Sequence, residues 1–162
     1  MNAGDVFVNE LALSYFAKHA DESKSIIYSD IYLKDKHGKR TLKQQRNFKE
    51  LGCFIQICHQ SILFNKSKLE EEAFNPSYRL SADFDLLLEL YLEGDKDFAK
   101  KIDVPLVIYK QGGRSDQQLH VVHQERIKQF KHRLKNPLSR WWNLLNLKRQ
   151  QAKLKRHGKL YI

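Results

Sequence analysis

The chain has 162 residues, of which 41% are hydrophobic and 11% are aromatic. This composition excludes an intrinsically disordered protein, and the length fits one folded domain as the simplest organisation. No apolar run approaches the roughly 20 residues that cross a bilayer. The N-terminus lacks the basic and apolar regions of a signal peptide, so we expect a cytoplasmic protein.

Charge is distributed unevenly along the chain. The net charge is +10, but residues 1–99 contribute −3 and residues 100–162 contribute +13. A neutral or acidic body with a basic C-terminal part is typical of proteins that contact an anionic partner, either a nucleic acid or a phospholipid surface.

The first elements in chain order are a helix and a β-hairpin. Apolar residues recur at near-helical spacing over 5–19, with Asp5 suited to the N-cap. Residues 25–33 are rich in β-branched and aromatic side chains, which predicts a strand. The turn residues at 35–39 then predict a return strand through Arg40 and Thr41.

The middle of the chain continues the alternation of strands and helices. Residues 52–57 form a short apolar stretch, and residues 61–64 predict a strand. The charged segment 66–74 predicts a helix that ends at Asn75-Pro76. The leucine-rich segment 81–92 begins with a Ser N-cap and two aspartates, which predicts a further helix that ends at Gly94.

The C-terminal part is predicted to contain one strand and two helices. Residues 101–109 predict a strand in which Pro105 favours an edge or early position. Helices are predicted from Asp116 to about Leu134 and over 138–155. The alternation of strands and helices predicts an α/β layered fold.

The chain contains two cysteines, Cys53 and Cys58. Their number and spacing match neither a disulfide framework nor a complete zinc site. Their apolar neighbours favour two buried free thiols.

Three polar motifs follow one another at the ends of predicted elements, where functional sites are usually built. They are His59-Gln60, the pair Asp83 and Asp85 at the start of a helix, and the Gly112–Ser115 turn. Each motif also has an ordinary structural explanation. The aspartates can complement the helix dipole, the histidine can be a core residue, and the glycines can form a simple turn.

Longer segments around these motifs carry a family resemblance. Residues 57–64 read Ile-Cys-His-Gln-Ser-Ile-Leu-Phe, and residues 74–88 run from Phe-Asn-Pro-Ser-Tyr to Asp-Phe-Asp-Leu-Leu-Leu. Together with residues 105–115, they resemble the acceptor-side half of family-2 glycosyltransferases, particularly bacterial capsule and exopolysaccharide enzymes. Residues 1–5 resemble the end of the strand that carries the metal-binding motif of that family.

The resemblance covers about residues 1–116 and implies a specific fold. It implies a partial GT-A fold, an α/β nucleotide-diphospho-sugar transferase fold, that lacks its N-terminal nucleotide-binding half. The implied domains are a partial catalytic domain at 1–116 and a basic helical extension at 117–162. The implied activity is transfer of a sugar from a nucleotide-sugar donor to a surface-polysaccharide or lipid-linked acceptor.

The resemblance also assigns roles to residues. Asp83 matches the general base that takes the proton of the acceptor hydroxyl. Asp5 matches a ligand of Mg²⁺ or Mn²⁺, although helix N-capping is an alternative role. Independently of the resemblance, the two-residue spacing on a helix turns Asp85 away from Asp83, so Asp85 is expected to be mainly structural. Four further residues are expected at the substrate or diphosphate: His59, Gln60, Arg114 and Ser115.

The basic C-terminal helix allows two hypotheses. A basic amphipathic helix over 138–156 with paired Trp141 and Trp142 suits the interface of an anionic membrane. Alternatively, residues 138–147 pack on the domain and the lysines face water. No RNA-binding signature is present, which disfavours nucleic acid as the partner. A non-enzymatic basic module that binds membrane or nucleic acid is the competing function for the whole chain.

Overall fold

The structure is a computed structural model that describes residues 4–48, 57–93 and 97–157, with the main chain alone at 150 and 153–157. In these residues, five strands form one mixed sheet and five helices accompany it, so the α/β class is confirmed. The strands are β1 (Val6–Phe7), β2 (Ile26–Lys34), β3 (Arg40–Lys43), β4 (Ile62–Phe64) and β5 (Ala99–Lys110). The helices are α1 (Ala12–Lys18), α2 (Ala82–Glu93), α3 (Arg114–Gln117), α4 (Leu119–Arg133) and α5 (Pro137–His157).

Strand β2 is the centre of the sheet. It pairs in parallel with β5 from Ile26↔Ala99 to Lys34↔Lys110. On its other edge, β4 pairs antiparallel with the first residues of β2, and β3 pairs antiparallel with the last. The first six residues of β2 are buried, because neighbouring layers cover both faces of an inner strand.

Strand β5 is also an inner strand, and Pro105 is the seventh of its 12 residues, so the prediction of an edge or early position is wrong. β5 lies between β2 and the two-residue strand β1. Pro105 lies opposite Asp30, directly after an irregularity in the register between β2 and β5. Proline lacks a backbone N–H and is tolerated at such interruptions, which explains its position inside the sheet.

Two helix predictions are wrong in extent. The predicted helix over 5–19 is restricted to α1, and Asp5 does not cap it. Instead, Asp5 lies before β1, and its Oδ1 accepts a hydrogen bond from the Lys110 N–H at 2.9 Å. The predicted helix over 66–74 is a single 3-10 turn at Lys66–Lys68, in which the Asn65 side chain accepts a hydrogen bond from the Ser67 N–H.

The other predicted elements are confirmed. The hairpin strands, the strand near residue 62 and the strand at 101–109 match β2, β3, β4 and β5. The leucine-rich helix is α2, the helix at 116–134 occurs as α3 and α4, and the last helix is α5. The stretch 52–56, including Cys53, and the helix end at Gly94 lie outside the described residues.

The largest hydrophobic core joins the sheet to α2, α4 and α5. Phe130 of α4 and Leu147 of α5 are each 1% exposed and belong to the same buried cluster as Ile26 and Tyr28 of β2. Residues from both sides of position 116 therefore share one core. A smaller cluster between α1 and the sheet contains Ala12 and Phe16.

Among the described residues, no helix combines the length and the apolar character that crossing a membrane requires.

The packing of α4 on α2 leads to a stability prediction. The Phe130 ring lies 5.6 Å from the Phe84 ring, edge to face, in the buried cluster. We expect Phe130→Ala to lower the free energy of unfolding by about 3–5 kcal/mol, because it leaves a cavity in the core. Urea denaturation measures this change.

Leu138→Ala is the matched control, because Leu138 is 77% exposed. It should change the free energy of unfolding by less than about 0.5 kcal/mol. An equal effect of the two substitutions would contradict the described packing of α4.

Candidate functional site

The structure brings two of the predicted site residues into direct contact. The Nδ1 atom of His59 lies 2.6 Å from Oδ2 of Asp83. His59 opens the 3-10 helix His59–Ser61, directly before β4, and Asp83 lies in the first turn of α2. The two side chains are 38% and 27% exposed, so the pair can meet a ligand from solvent. His59 is therefore not a core histidine.

The pair lies above the middle of the sheet. β4 follows the 3-10 helix directly and pairs with β2 through Tyr28↔Ile62. Cys58, the residue before His59, packs with Ile31 of β2 and Val107 of β5. Cys58 therefore packs against the two parallel strands, and His59 follows it directly in the chain.

Helix α4 fixes the start of α2, and with it Asp83. The Glu125 carboxylate accepts hydrogen bonds from the N–H groups of Arg79 and Leu80 at 2.8 and 3.1 Å, and from the Ser81 hydroxyl at 2.8 Å. Burial alone would raise the pKa of Glu125, but these hydrogen bonds lower it overall. The carboxylate thus binds two backbone donors of the segment that leads into α2.

Two further side chains of α4 continue this contact along the helix. Gln129 is fully buried, and its amide donates to the Ser81 carbonyl at 2.8 Å. Arg133 binds both carboxylate oxygens of Asp85, at 3.1 and 2.7 Å, and also pairs with Glu89. The expected structural role of Asp85 is thereby confirmed, because its buried charge is neutralised by Arg133.

A second cationic side chain of α4, that of Arg126, lies near the His59–Asp83 pair. The Arg126 guanidinium covers the face of Phe84 at 4.6 Å from the ring centroid. Its charge lowers the pKa of Asp83, and together with burial it also lowers the pKa of His123. Arg126 Nε is buried and has no hydrogen-bond partner among the described residues.

The electrostatics of the pair favour an ionised aspartate. Burial of Asp83 opposes ionisation, but the hydrogen bond and charge of His59, with the charge of Arg126, lower its pKa below the ordinary value of 3.8. Asp83 is therefore a carboxylate at neutral pH. A carboxylate in this position orients an imidazole ring.

Gln60 and Cys58 lie next to the pair in the chain. The Cys58 thiol is buried and free, and it donates to Oε1 of Gln60 at 3.0 Å. Burial raises the pKa of Cys58 to about 12, and the negative charge of Asp5 contributes to the increase. Cys58 is consequently an unreactive thiol, and the prediction of a buried free thiol is confirmed for this residue.

Asp5 is buried at the edge of the same region. Asp5 is 8% exposed, and its carboxylate accepts the Lys110 N–H at the end of β5. Burial and the charges of Asp116, Cys58 and Asp5 raise the pKa of Tyr109. The Tyr109 side chain therefore lies near both Asp5 and Asp116.

The Gly-Gly turn is closed by its own residues. Gly112 has φ +87, a left-handed conformation that favours glycine. The Asp116 carboxylate accepts the Gly112 N–H at 2.7 Å and the Tyr109 hydroxyl at 3.3 Å. Arg114 is exposed and Ser115 half-buried. Within the described part of the chain, no hydrogen bond or ion pair joins either residue to His59 or Asp83.

Candidate metal ligands do not converge in the described ranges. Nowhere in 4–48, 57–93 and 97–157 do three or more His, Cys, Asp or Glu side chains gather as they would around a metal ion. One Asp83 oxygen is occupied by His59, and one Asp5 oxygen by Lys110. The divalent-cation site at Asp5 stays a prediction.

Comparisons of this chain with protein-family models, with curated proteins and with solved structures find no match. The glycosyltransferase resemblance therefore stays an expectation based on the motifs alone.

The α4 residues that build the site were missed in the sequence. Glu125, Gln129 and Arg133 occur at i, i+4 and i+8, which places them on one face of a helix. This polar stripe includes the last acidic residue of the chain, Glu125. Glu125 is a single carboxylate in a strongly basic segment. This isolation was the available signal that Glu125 is buried and has specific partners.

The lowered pKa of Asp83 can be tested directly. His59→Gln removes the charge and the Nδ1 hydrogen bond, so the Asp83 pKa should rise. The pair contributes to the free energy of unfolding. This contribution is present above pH 3.8, the pKa of Asp in the unfolded chain, and is lost as the pH falls through the lower pKa of the folded protein. Carboxyl ¹³C NMR titration measures the Asp83 pKa in both proteins.

His37→Gln is the control, because His37 is exposed in the β2–β3 turn. The control should leave the Asp83 titration unchanged. An Asp83 pKa that is the same in wild type and His59→Gln would show that the pair does not form.

Proposed function

We propose that the chain takes part in the transfer of a sugar from a nucleotide-sugar donor to the hydroxyl group of a surface-polysaccharide or lipid-linked acceptor. The observation that carries the proposal is the 2.6 Å contact between His59 Nδ1 and Asp83 Oδ2 at a solvent-accessible position. An imidazole oriented by a carboxylate is a common general base for hydroxyl groups. The assignment to sugar transfer rests on the order of the motifs described above.

In this proposal the base is the His59–Asp83 pair and not Asp83 alone. Asp83 has a lowered pKa and is a weak base by itself. Its contact with Nδ1 favours the tautomer in which that atom carries the proton, which leaves Nε2 with a free lone pair. Nε2 of His59 takes the proton of the acceptor hydroxyl. The hydroxyl oxygen then bonds to the anomeric carbon, and the nucleoside diphosphate leaves with the electrons of the broken bond.

The remaining predicted residues belong to the diphosphate side of the proposal. Arg114 is exposed on the turn after β5, where its guanidinium can contact a phosphate oxygen. Ser115 and Gln60 supply neutral hydrogen-bonding groups. Mg²⁺ or Mn²⁺, when bound, would neutralise charge on the leaving group, with Asp5 as the assigned ligand. We place this activity in the cytoplasm, at the inner face of the membrane.

The proposal predicts the kinetics of two variants. With a panel of nucleoside-diphosphate sugars, Mn²⁺ and glycan acceptors, Asp83→Asn and His59→Gln should each lower kcat by about 10²-fold or more, because both remove the oriented base. Release of nucleoside diphosphate measures turnover, and calorimetry measures donor binding.

Asp103→Asn is the control, because the Asp103 side chain is 83% exposed and pairs with Lys101. It should retain wild-type turnover. If wild-type protein neither binds a donor nor releases nucleoside diphosphate, the catalytic proposal is wrong. Turnover that is unaffected by either site substitution would place the base elsewhere.

A further inference from the structure

Helix α5 carries two apolar faces, only one of which is packed on the protein. Leu147 is 1% exposed in the main core, and Leu144 packs against the same cluster. Residues 138, 141, 142 and 145 recur at i, i+3, i+4 and i+7 on the opposite face, which therefore forms a continuous apolar stripe. We call these four residues, Leu138, Trp141, Trp142 and Leu145, the outer stripe.

The outer stripe is accessible to a partner. Leu138, Trp141 and Trp142 are 77%, 63% and 54% exposed, and Leu145 is half-buried. Large aromatic side chains rarely remain this exposed, because burying each one removes a large apolar area from water. The outer stripe therefore has the form of a contact surface.

The segment that contains the outer stripe carries charge of one sign. Residues 126–162 contain twelve Lys and Arg and no Asp or Glu. Lys148 and Arg149 are exposed on the next turn of α5, and the Arg149 guanidinium lies 5.9 Å from the centroid of the Trp142 ring. This cation–π contact holds a positive charge at the border of the apolar surface.

We propose that the outer stripe of α5 inserts into the interface of an anionic phospholipid membrane, with the surrounding lysines and arginines at the lipid headgroups. Tryptophan favours the membrane interface, and leucine favours the acyl chains below it. The surface charge attracts the anionic leaflet. Leu144 and Leu147 stay on the protein core, so the helix lies parallel to the membrane surface and joins it to the domain.

The chemistry favours lipid over other occupants of this surface. Single-stranded nucleic acid would stack on the tryptophans but would gain little from Leu138 and Leu145. A second copy of the chain would bring two strongly basic surfaces together, and like charges repel. An anionic bilayer uses both the apolar stripe and the charge.

Tryptophan fluorescence tests the proposal directly, because Trp141 and Trp142 are the only tryptophans of the chain. Addition of phosphatidylcholine–phosphatidylglycerol vesicles should shift the emission to shorter wavelength, and brominated lipids should quench it. Pure phosphatidylcholine vesicles should cause a much smaller shift. Raised salt should weaken binding to the anionic vesicles.

Variants separate the apolar and the charged contributions in vesicle sedimentation. Trp141→Ala/Trp142→Ala should lower the affinity for anionic vesicles at least about tenfold. Lys148→Gln/Arg149→Gln should lower it about 25-fold, at about fivefold for each charge. Leu11→Ala/Leu13→Ala is the matched control and should bind as wild type, because these leucines are 67% and 52% exposed at the opposite end of the chain. Far-UV circular dichroism verifies that each variant is folded.

Three results would overturn the proposal. The first is an unchanged emission spectrum with both kinds of vesicle. The second is a shift caused by a single-stranded oligonucleotide but not by vesicles, which would identify nucleic acid as the partner. The third is a shift that depends on protein concentration without lipid, which would identify a second copy.

Discussion

The arrangement of the helices and of the candidate site depends on the hydrogen bonds that the Glu125 carboxylate accepts. It accepts two backbone N–H groups and one hydroxyl from the residues before α2, which a neutral side chain could not satisfy together. Because its pKa is lowered, this contribution to stability is present above the unfolded value of 4.5 and is lost as the pH falls through the folded pKa. Glu125 joins α4 to α2 and thereby fixes the position of Asp83.

The site follows from that constraint and from the sheet. Cys58 packs over β2 and β5 and places His59 from one side. Glu125 and Gln129 hold the first residues of α2 and place Asp83 from the other side. The side chains of His59 and Asp83 are 24 positions apart in the sequence, and a different part of the fold supports each one. A displacement of α4 would therefore disturb the pair without touching either residue.

The sequence predicts the parts of the fold that local pattern determines. β2 is predicted from its β-branched and aromatic residues, and α2 from its Ser N-cap and leucine-rich body. Both are confirmed, as is α5. The helix predicted from Asp5 fails because Asp5 and β1 belong to a pairing with β5, about a hundred residues away. Pro105 was assigned to an edge because the register irregularity that accommodates it arises only when β2 and β5 pair.

Of the predicted site residues, His59 and Asp83 lie in direct contact, and the sequence did not predict that contact. Asp83 and His59 stand out as polar residues at element ends, and the assignment of Asp85 to structure is confirmed by Arg133. The contact between His59 and Asp83 could not be predicted, because no local pattern relates a 3-10 turn to a distant helix start. The roles of the α4 residues were not predicted, because the sequence of a charged segment does not distinguish a buried carboxylate from an exposed one.

The state of the His59 ring tests the central claim most directly. If Glu125 positions Asp83 against His59 Nδ1, ¹⁵N NMR of the ring at alkaline pH should find the proton on Nδ1 in the wild type. Glu125→Gln should return part of the population to the Nε2-protonated tautomer. A wild-type ring protonated mainly on Nε2, or a ring unaffected by Glu125→Gln, would contradict the account.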